Sequence, residues 1–270
     1  MRTLNTKEIS DCVYRLARKA GVTLTPACHA ALESAAAQET GAARFALETV
    51  LENERTAARE QMPVCQDTGM AVVLIALGQD VRLSGAPLKE AVDDGVRRAY
   101  ADGCFRRSIC DPLTRENTGD NTPAHLHLDM VAGENVRVTF LPKGFGSENM
   151  SRLVMLTPSQ GRKGIVDTIV ETVKIAGSRP CPPVCVGVGI GGAFDGCAFL
   201  AKKALTRDVG SANPREDVAS IEREALEKIN ALNIGAQGFG GKVTALSVAC
   251  EIAPTHIAGL PVAVNIQCHC

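Results

Sequence analysis

The sequence has no tryptophan, two tyrosines and only 3% aromatic residues, so the stacking platforms that single-stranded nucleic acid needs are missing. It has no excess of either charge. Its 29 Lys and Arg against 30 Asp and Glu leave a formal −1, and the two signs are interspersed, so neither a basic stripe for nucleic acid nor an acidic tail is present. Long apolar runs are also absent: the longest are broken by glycine and fall far short of the about 20 residues that span a membrane. The opening "MRTLNTKEISDCVYRLARKAG" has no apolar core of signal-peptide length, which predicts a cytoplasmic protein with no membrane partner. Linkers, repeats and low-complexity stretches are lacking too. One compact domain over residues 1–270 is expected, with small molecules and other proteins as partners.

Cysteine, by contrast, is plentiful. Eleven is an odd number in a chain without an export signal, so a disulfide framework is not expected and reduced thiols are available for metal. Cys12, Cys28, Cys104, Cys197 and Cys250 sit in helical or strand patterns and read as packing. The others lie in loops. Cys65 belongs to "MPVCQDTGM", where Cys65, Gln66, Asp67 and Thr68 share one turn between a proline and a glycine and could be aimed at a ligand. Cys181 and Cys185 lie in "PCPPVC", and Cys268 and Cys270 in "QCHC".

Residues 6–60 read as three helices, with Thr25 capping one that has Pro26 at its first position. "MAVVLIALGQDVRL" reads as strands, "PLKEAVDDGVRRAYADG" as an amphipathic helix and "HLHLDMVAGENVRVTFLPK" as a hairpin around "AGEN". A helix at "IVDTIVETVKIAG", a strand at "VCVGVGI", two helices and two final strands follow. The irregular alternation predicts an α+β fold, a helical N-terminal segment followed by a mixed sheet with packed helices.

"GVGIGG" at 187–192 matches G-x-G-x-x-G, but no second strand with a terminal acid follows its helix. A dinucleotide site is therefore disfavoured, and the glycines read as places where backbone packs closely. Structural zinc would be better served by paired C-x2-C knuckles than by C-x3-C and C-x-C. Three thiolates from three loops suit a [4Fe-4S] cluster with one iron not ligated by protein. "FRRSICDPLTRENTGDNTPAH" adds arginines that bind carboxylates bidentately, and "PKGFGSENMS" adds a glycine turn whose amides can face an anion.

Together "PVCQDTG", "FRRS", "NTGDNTPA", "KGFGSENMS", "PCPPVCVGVGIGG", "QGFGGK" and "PTHIAGLPVAVNIQCH" resemble, in order, the class I fumarase and L-tartrate dehydratase family of iron-sulfur hydro-lyases, over roughly residues 60–270 and at the α subunit or N-terminal catalytic part. The resemblance implies cluster ligation by Cys65, Cys181 and Cys268, with Cys185 and Cys270 matching no family ligand; Cys270 is the alternative to Cys268, which the spacing from "THIAG" to "QCH" favours. It implies substrate contacts from Gln66, Arg106 and Gly146, with Arg107 the adjacent alternative to Arg106. It also implies a catalytic role for Asp67, in proton transfer at the departing oxygen, and for His256, in hydrogen bonding the substrate. Similar enzymes carry further arginine, lysine and threonine residues on a second domain, so a β subunit completing the active site is expected, in a hetero-oligomer that takes a small dicarboxylate. "NTGDNTPA" and "KGFGSEN" look closer to the fumarase branch, which makes hydration of fumarate to L-malate the expected reaction, with tartrate or mesaconate as alternatives. The competing expectation is a non-enzymatic protein in which metal staples the loops or senses oxygen.

Overall fold

The computed structural model describes residues 2–270. In chain order its helices are α1 (Thr6–Val22), α2 (Pro26–Gln38), α3 (Gly41–Glu60), α4 (Leu88–Asp102), the single-turn α5 (Phe145–Glu148), α6 (Gly161–Ala176), α7 (Phe194–Ala204) and α8 (Glu216–Asn230). Its strands are β1 (Arg2–Asn5), β2 (Met70–Gly78), β3 (Val81–Ser84), β4 (His125–Val131), β5 (Val136–Lys143), β6 (Arg152–Leu156), β7 (Val184–Gly191), β8 (Ala245–Ala253) and β9 (Leu260–Cys268). The fold is α+β, as the irregular alternation implied. The chain divides into two compact units: one runs up to Thr23 and resumes over Asn53–Phe145, and the other comprises Leu24–Glu52 and Gly146–Cys270.

The first unit is built on a three-stranded sheet in the order β4-β2-β5, with β2 parallel to β4 and antiparallel to β5. Ala71, Val73, Ile75 and Leu77 alternate along one face of β2 and are buried with Val13 of α1 and Val92, Val96 and Tyr100 of α4. That alternation is what a half-buried strand requires. The hairpin read at "AGEN" is corrected: β4 and β5 pair with β2 between them, not with each other. The turn instead wraps the end of β2, where the amides of Gly78, Gln79 and Asp80 donate to the carbonyls of Asn135, Val131 and Gly133. An apolar strand such as β2 is better placed centrally than at an edge, and this outweighs the local turn signal. Residues 2–5, not anticipated as a strand, pair in parallel with β3. The cap of α1 is Asn5, whose side chain accepts from the Lys7 amide, while the Thr6 hydroxyl donates to the carbonyls of Ser84 and Ala86.

The second unit holds the sheet β6-β9-β7-β8, in which β7 runs parallel to β8 and antiparallel to β9. Helices α6 and α8 cover one face with Ile169, Val173, Ala225 and Ile229 against Val186, Val188, Val262, Val264 and Ile266. Truncating Ile169, Ile229 or Ile266 to alanine costs about 2–5 kcal/mol. Helix α7 covers the other face. A Cβ on Gly187 or Gly189 would overlap the carbonyls of Ala201 or Cys197, so the glycines of "GVGIGG" serve close helix-on-strand packing, and the Cys197 thiol donates to the Gly189 carbonyl. Strand β6, which was not read from the sequence, pairs antiparallel with β9. Thr25 caps α2 by accepting from the Cys28 amide, with Pro26 first in the helix, as expected.

Candidate active site

In the first unit, "PVCQDTG" forms the loop between α3 and β2. Gly69 has φ +78°, and a Cβ there would lie 2.6 Å from the Lys143 amide nitrogen; glycine is required on both counts. The Asp67 carboxylate bridges two amides, accepting from Gly69 at 3.1 Å through Oδ1 and from Phe145 at 2.8 Å through Oδ2. The Thr68 hydroxyl donates to the Arg106 carbonyl at 3.0 Å, which ties "FRRS" to the cysteine loop. Buried Tyr100 donates from below to the carbonyls of Thr68 and Gly69, at 2.9 and 3.0 Å. Burial, and then the nearby Asp67 carboxylate, raise the phenol far above its ordinary pKa, so it stays a neutral donor.

"NTGDNTPA" is held in the same place. Asn121 is fully buried with φ +61°; its Nδ2 donates to the Gly69 carbonyl at 3.2 Å and its Oδ1 accepts from the Ser108 amide at 2.7 Å. Asn117 donates to the Arg107 carbonyl at 2.9 Å. Burial pushes the Asp120 carboxyl up, but hydrogen bonds from the Thr122 hydroxyl, the Arg97 guanidinium and the Thr122 amide win and hold it at about 2. Most polar groups of this stretch are therefore spent on loop architecture. The two arginines differ. Arg107 Nη1 donates to the Gly119 carbonyl at 2.8 Å, whereas the exposed Arg106 guanidinium makes no hydrogen bond or ion pair among the described residues. Gln66 is exposed beside half-buried Cys65, whose thiol lies 3.5 Å from Gln66 Oε1.

In the second unit, Cys181 and Cys268 reach the same end of the sheet. Val184, three residues after Cys181, opens β7 and pairs with Cys268 at the end of β9. Cys181 is exposed and has φ +55°, a left-handed conformation that costs a non-glycine residue about 1–3 kcal/mol and concentrates at functional sites. The loop is over-determined: the Cys181 amide donates to the Ser178 carbonyl, and the Pro182 carbonyl accepts from the Gln237 amide at 2.7 Å and from its Nε2 at 3.1 Å. "QGFGGK" thus braces "PCPP". His269, beside Cys268, is pushed down to about 4 by burial, which outweighs the opposing pull of the Pro183 and Cys181 backbone. The turn bearing Gly146 belongs to this sheet end as well, because the Ile266 amide of β9 donates to Ser151 Oγ at 3.1 Å.

Cys185 and Cys270 differ from their neighbours. Burial pushes the Cys185 thiol up to about 11, and the Cys270 carbonyl accepts from Gln267 Nε2 at 2.6 Å. His256 is not brought to this sheet end. It follows β8, in the loop where Thr255 Oγ1 donates to the Gly192 carbonyl just past the end of β7. The eight residues of β7, roughly 25 Å at about 3.3 Å per residue, separate it from Cys268. His256 and Gly146 therefore lie at opposite ends of this sheet. Its Nδ1 accepts from the Ala258 amide at 3.2 Å.

Sequence reasoning did not single out Tyr100, Asn121 or the fully buried Lys143, whose Nζ donates to the Gly144 carbonyl at 3.2 Å. A tyrosine in an amphipathic helix carries no mark of what its hydroxyl will hold. Lys143 stood inside a quoted motif, and its burial was the feature that the sequence did not display.

A family model described as Fumarate hydratase (Fumerase) matches residues 10–270. The chain belongs to the fumarate hydratase family. A relative from Methanocaldococcus jannaschii, named putative L(+)-tartrate dehydratase subunit alpha, is 42% identical over 268 residues, covering 97% of this chain and 94% of its own. L(+)-tartrate dehydratase subunit alpha from Escherichia coli K12 is 30% identical over 224 residues, covering 82% of this chain and 74% of its own. The UTI89 strain's protein of that name is 31% identical over the same shares.

For a member of the fumarate hydratase family, the donor chemistry suits an iron-sulfur cluster. Cys181 and Cys268 share one sheet end with a strained, braced loop, and Cys65 stands among polar side chains in the other unit. Among the described residues no group of three His, Cys, Asp or Glu side chains is gathered as a ready metal site. No helix among them is long and apolar enough to cross a membrane.

Proposed function

We propose that this member of the fumarate hydratase family is the α subunit of an iron-sulfur hydro-lyase that removes water from a C4 hydroxy-dicarboxylate, with L(+)-tartrate as the substrate, and that it works with a β-type subunit. The observation that carries the reading is Arg106: an exposed guanidinium with no hydrogen-bond or ion-pair partner among the described residues, on a segment anchored through its own carbonyl to the Cys65–Gly69 loop. A side chain built only to staple that loop would be engaged, as Arg107 is. The relatives named as tartrate dehydratase α subunits support tartrate and support a partner.

Cys65, Cys181 and Cys268 would hold a [4Fe-4S] cluster. When bound, it supplies a Lewis acid for a hydroxyl that leaves poorly on its own. Arg106 binds a substrate carboxylate in a bidentate grip, the Gly146 amide and the Gln66 amide group orient the acid, and Asp67 keeps the loop in shape through the Gly69 and Phe145 amides. The base that takes the carbon-bound proton comes from the partner. Fumarate hydration is the second reading, favoured by "NTGDNTPA" and "KGFGSENMS" and by the description of the family model.

The test is anaerobic reconstitution with iron and sulfide in the presence of the candidate β subunit, followed by turnover of tartrate, fumarate and mesaconate. Tartrate turnover exceeding fumarate turnover supports the reading, and the reverse order selects the second. Arg106→Ala should raise KM at least tenfold while leaving the cluster's absorbance intact. If Arg106→Ala changed stability alone, a metal-stapled or oxygen-sensing protein would replace the enzyme.

A further inference from the structure

Helix α5 carries Gly146 on a single turn, too short to hold itself by helical cooperativity. What fixes it is polar. Glu148, its last residue, accepts from Lys202 Nζ at 2.5 Å through Oε1 and from Asn265 Nδ2 at 2.7 Å through Oε2. Asn265 Nδ2 also donates to Ser151 Oγ at 2.7 Å, and Ser151 Oγ accepts the Ile266 amide. The network therefore joins the glycine turn to α7 and to β9, three residues before Cys268.

The pair is partly withdrawn from water: the Lys202 side chain is 12% exposed and the Glu148 side chain 27%, beside the buried Asn265. Such a pair gains little net stability over apolar side chains of the same size, because desolvation offsets attraction, so its use lies in fixing geometry. Its platform is rigid. Gly187 and Gly189 let α7 sit directly on β7, which sets the height of Ala201 and hence of Lys202 above the sheet. Through this chain of contacts the glycines of "GVGIGG" control a side chain that no nucleotide reading would have invoked.

We propose that Glu148, Lys202 and Asn265 form a positioning latch that holds the Gly146 amide in register with the β9 end bearing Cys268, and so sets affinity for the dicarboxylate. This rests on the hydro-lyase reading above. The latch acts on binding in the ground state and the transition state alike, so its loss shows in KM more than in kcat.

The experiment compares three reconstituted holoenzymes: wild type, Glu148→Ala, and Glu148→Met combined with Lys202→Met. The double variant replaces the ion pair with apolar side chains of similar length and so restores stability without restoring the tie to Asn265. Glu148→Ala should raise KM at least tenfold with kcat changed less than threefold and the cluster spectrum unaltered. The double variant should recover the wild-type Tm but keep the raised KM. In both variants hydrogen exchange over residues 146–151 should accelerate while α8 is unchanged. Recovery of KM together with Tm, or a KM within twofold of wild type in Glu148→Ala, would overturn the latch. If the wild type turns over none of the three acids, the hydro-lyase reading fails, and the exchange measurement alone decides whether the latch exists.

Discussion

Replacing Tyr100 by Phe removes one oxygen from beneath the cysteine loop and nothing else. The ring is 2% exposed and stacks edge-on against Phe105 with centroids 5.4 Å apart, so phenylalanine fits the same space and leaves no cavity. What is lost is the hydroxyl donor shared by the carbonyls of Thr68 and Gly69. Gly69 keeps its second donor, Asn121 Nδ2. Thr68 has no such second bond from Asn121, so the cost falls on that carbonyl. One net hydrogen bond is worth about 0.5–1.5 kcal/mol, and a buried acceptor left without a donor raises this to about 1–3 kcal/mol. The expected loss is therefore about 1–2 kcal/mol, concentrated in residues 65–69.

Hydrogen exchange followed by mass spectrometry reads this locally. A loss of about 1–2 kcal/mol corresponds to roughly 5–30-fold faster exchange in a peptide over residues 66–72, with no change in α8 of the other unit. Because burial keeps the phenol neutral, the difference between wild type and variant should be the same at pH 6 and pH 9. An exchange rate within twofold of wild type would refute the idea that the hydroxyl braces the loop.

Gly69→Ala should be more severe, since it adds a left-handed strain of about 1–3 kcal/mol to a collision with the Lys143 backbone; a Tm equal to that of wild type would contradict the loop geometry. Cys181→Ser should abolish reconstitution of the iron-sulfur absorbance, whereas Cys185→Ser should leave it largely intact, and the reverse pattern would move the ligand to Cys185. For Asp120 the folded pKa, about 2, lies below the ordinary value of 3.8. Its stabilisation is thus complete above about pH 4 and is lost as pH falls towards 2. With screening of this partly exposed group, the contribution is about 1–2 kcal/mol, and Asp120→Asn should have a urea midpoint lower than wild type at pH 6 that converges with it near pH 2.

Local signals carried much of the fold. Thr25 and Pro26 marked a helix start that the structure repeats, and the alternation in "MAVVLIAL" marked β2 and its buried face. Pairing was less legible, because it depends on partners remote in sequence: "AGEN" is a good turn whichever strand lies between its arms, and only the demand of β2 for neighbours on both sides separates β4 from β5. Strand β6 escaped notice for the same reason, being five residues whose strand character comes from β9.

At the candidate site the motifs were legible as chemistry but not as a division of labour. Asn117, Asp120 and Asn121 have the same polar character as a ligand grip, yet Asn117 and Asn121 are held by backbone groups and Asp120 by Thr122 and the Arg97 guanidinium. Arg106 and Arg107 are chemically identical in sequence, and only the Gly119 carbonyl distinguishes them. His256 shows the converse: a motif residue placed by the β7–β8 pairing at the sheet end away from Cys268. A side chain's type limits what it can do, whereas its occupation by a backbone partner decides whether it remains available. An engaged Arg107 beside an unengaged Arg106 therefore makes the latter the side chain on which a dicarboxylate should depend.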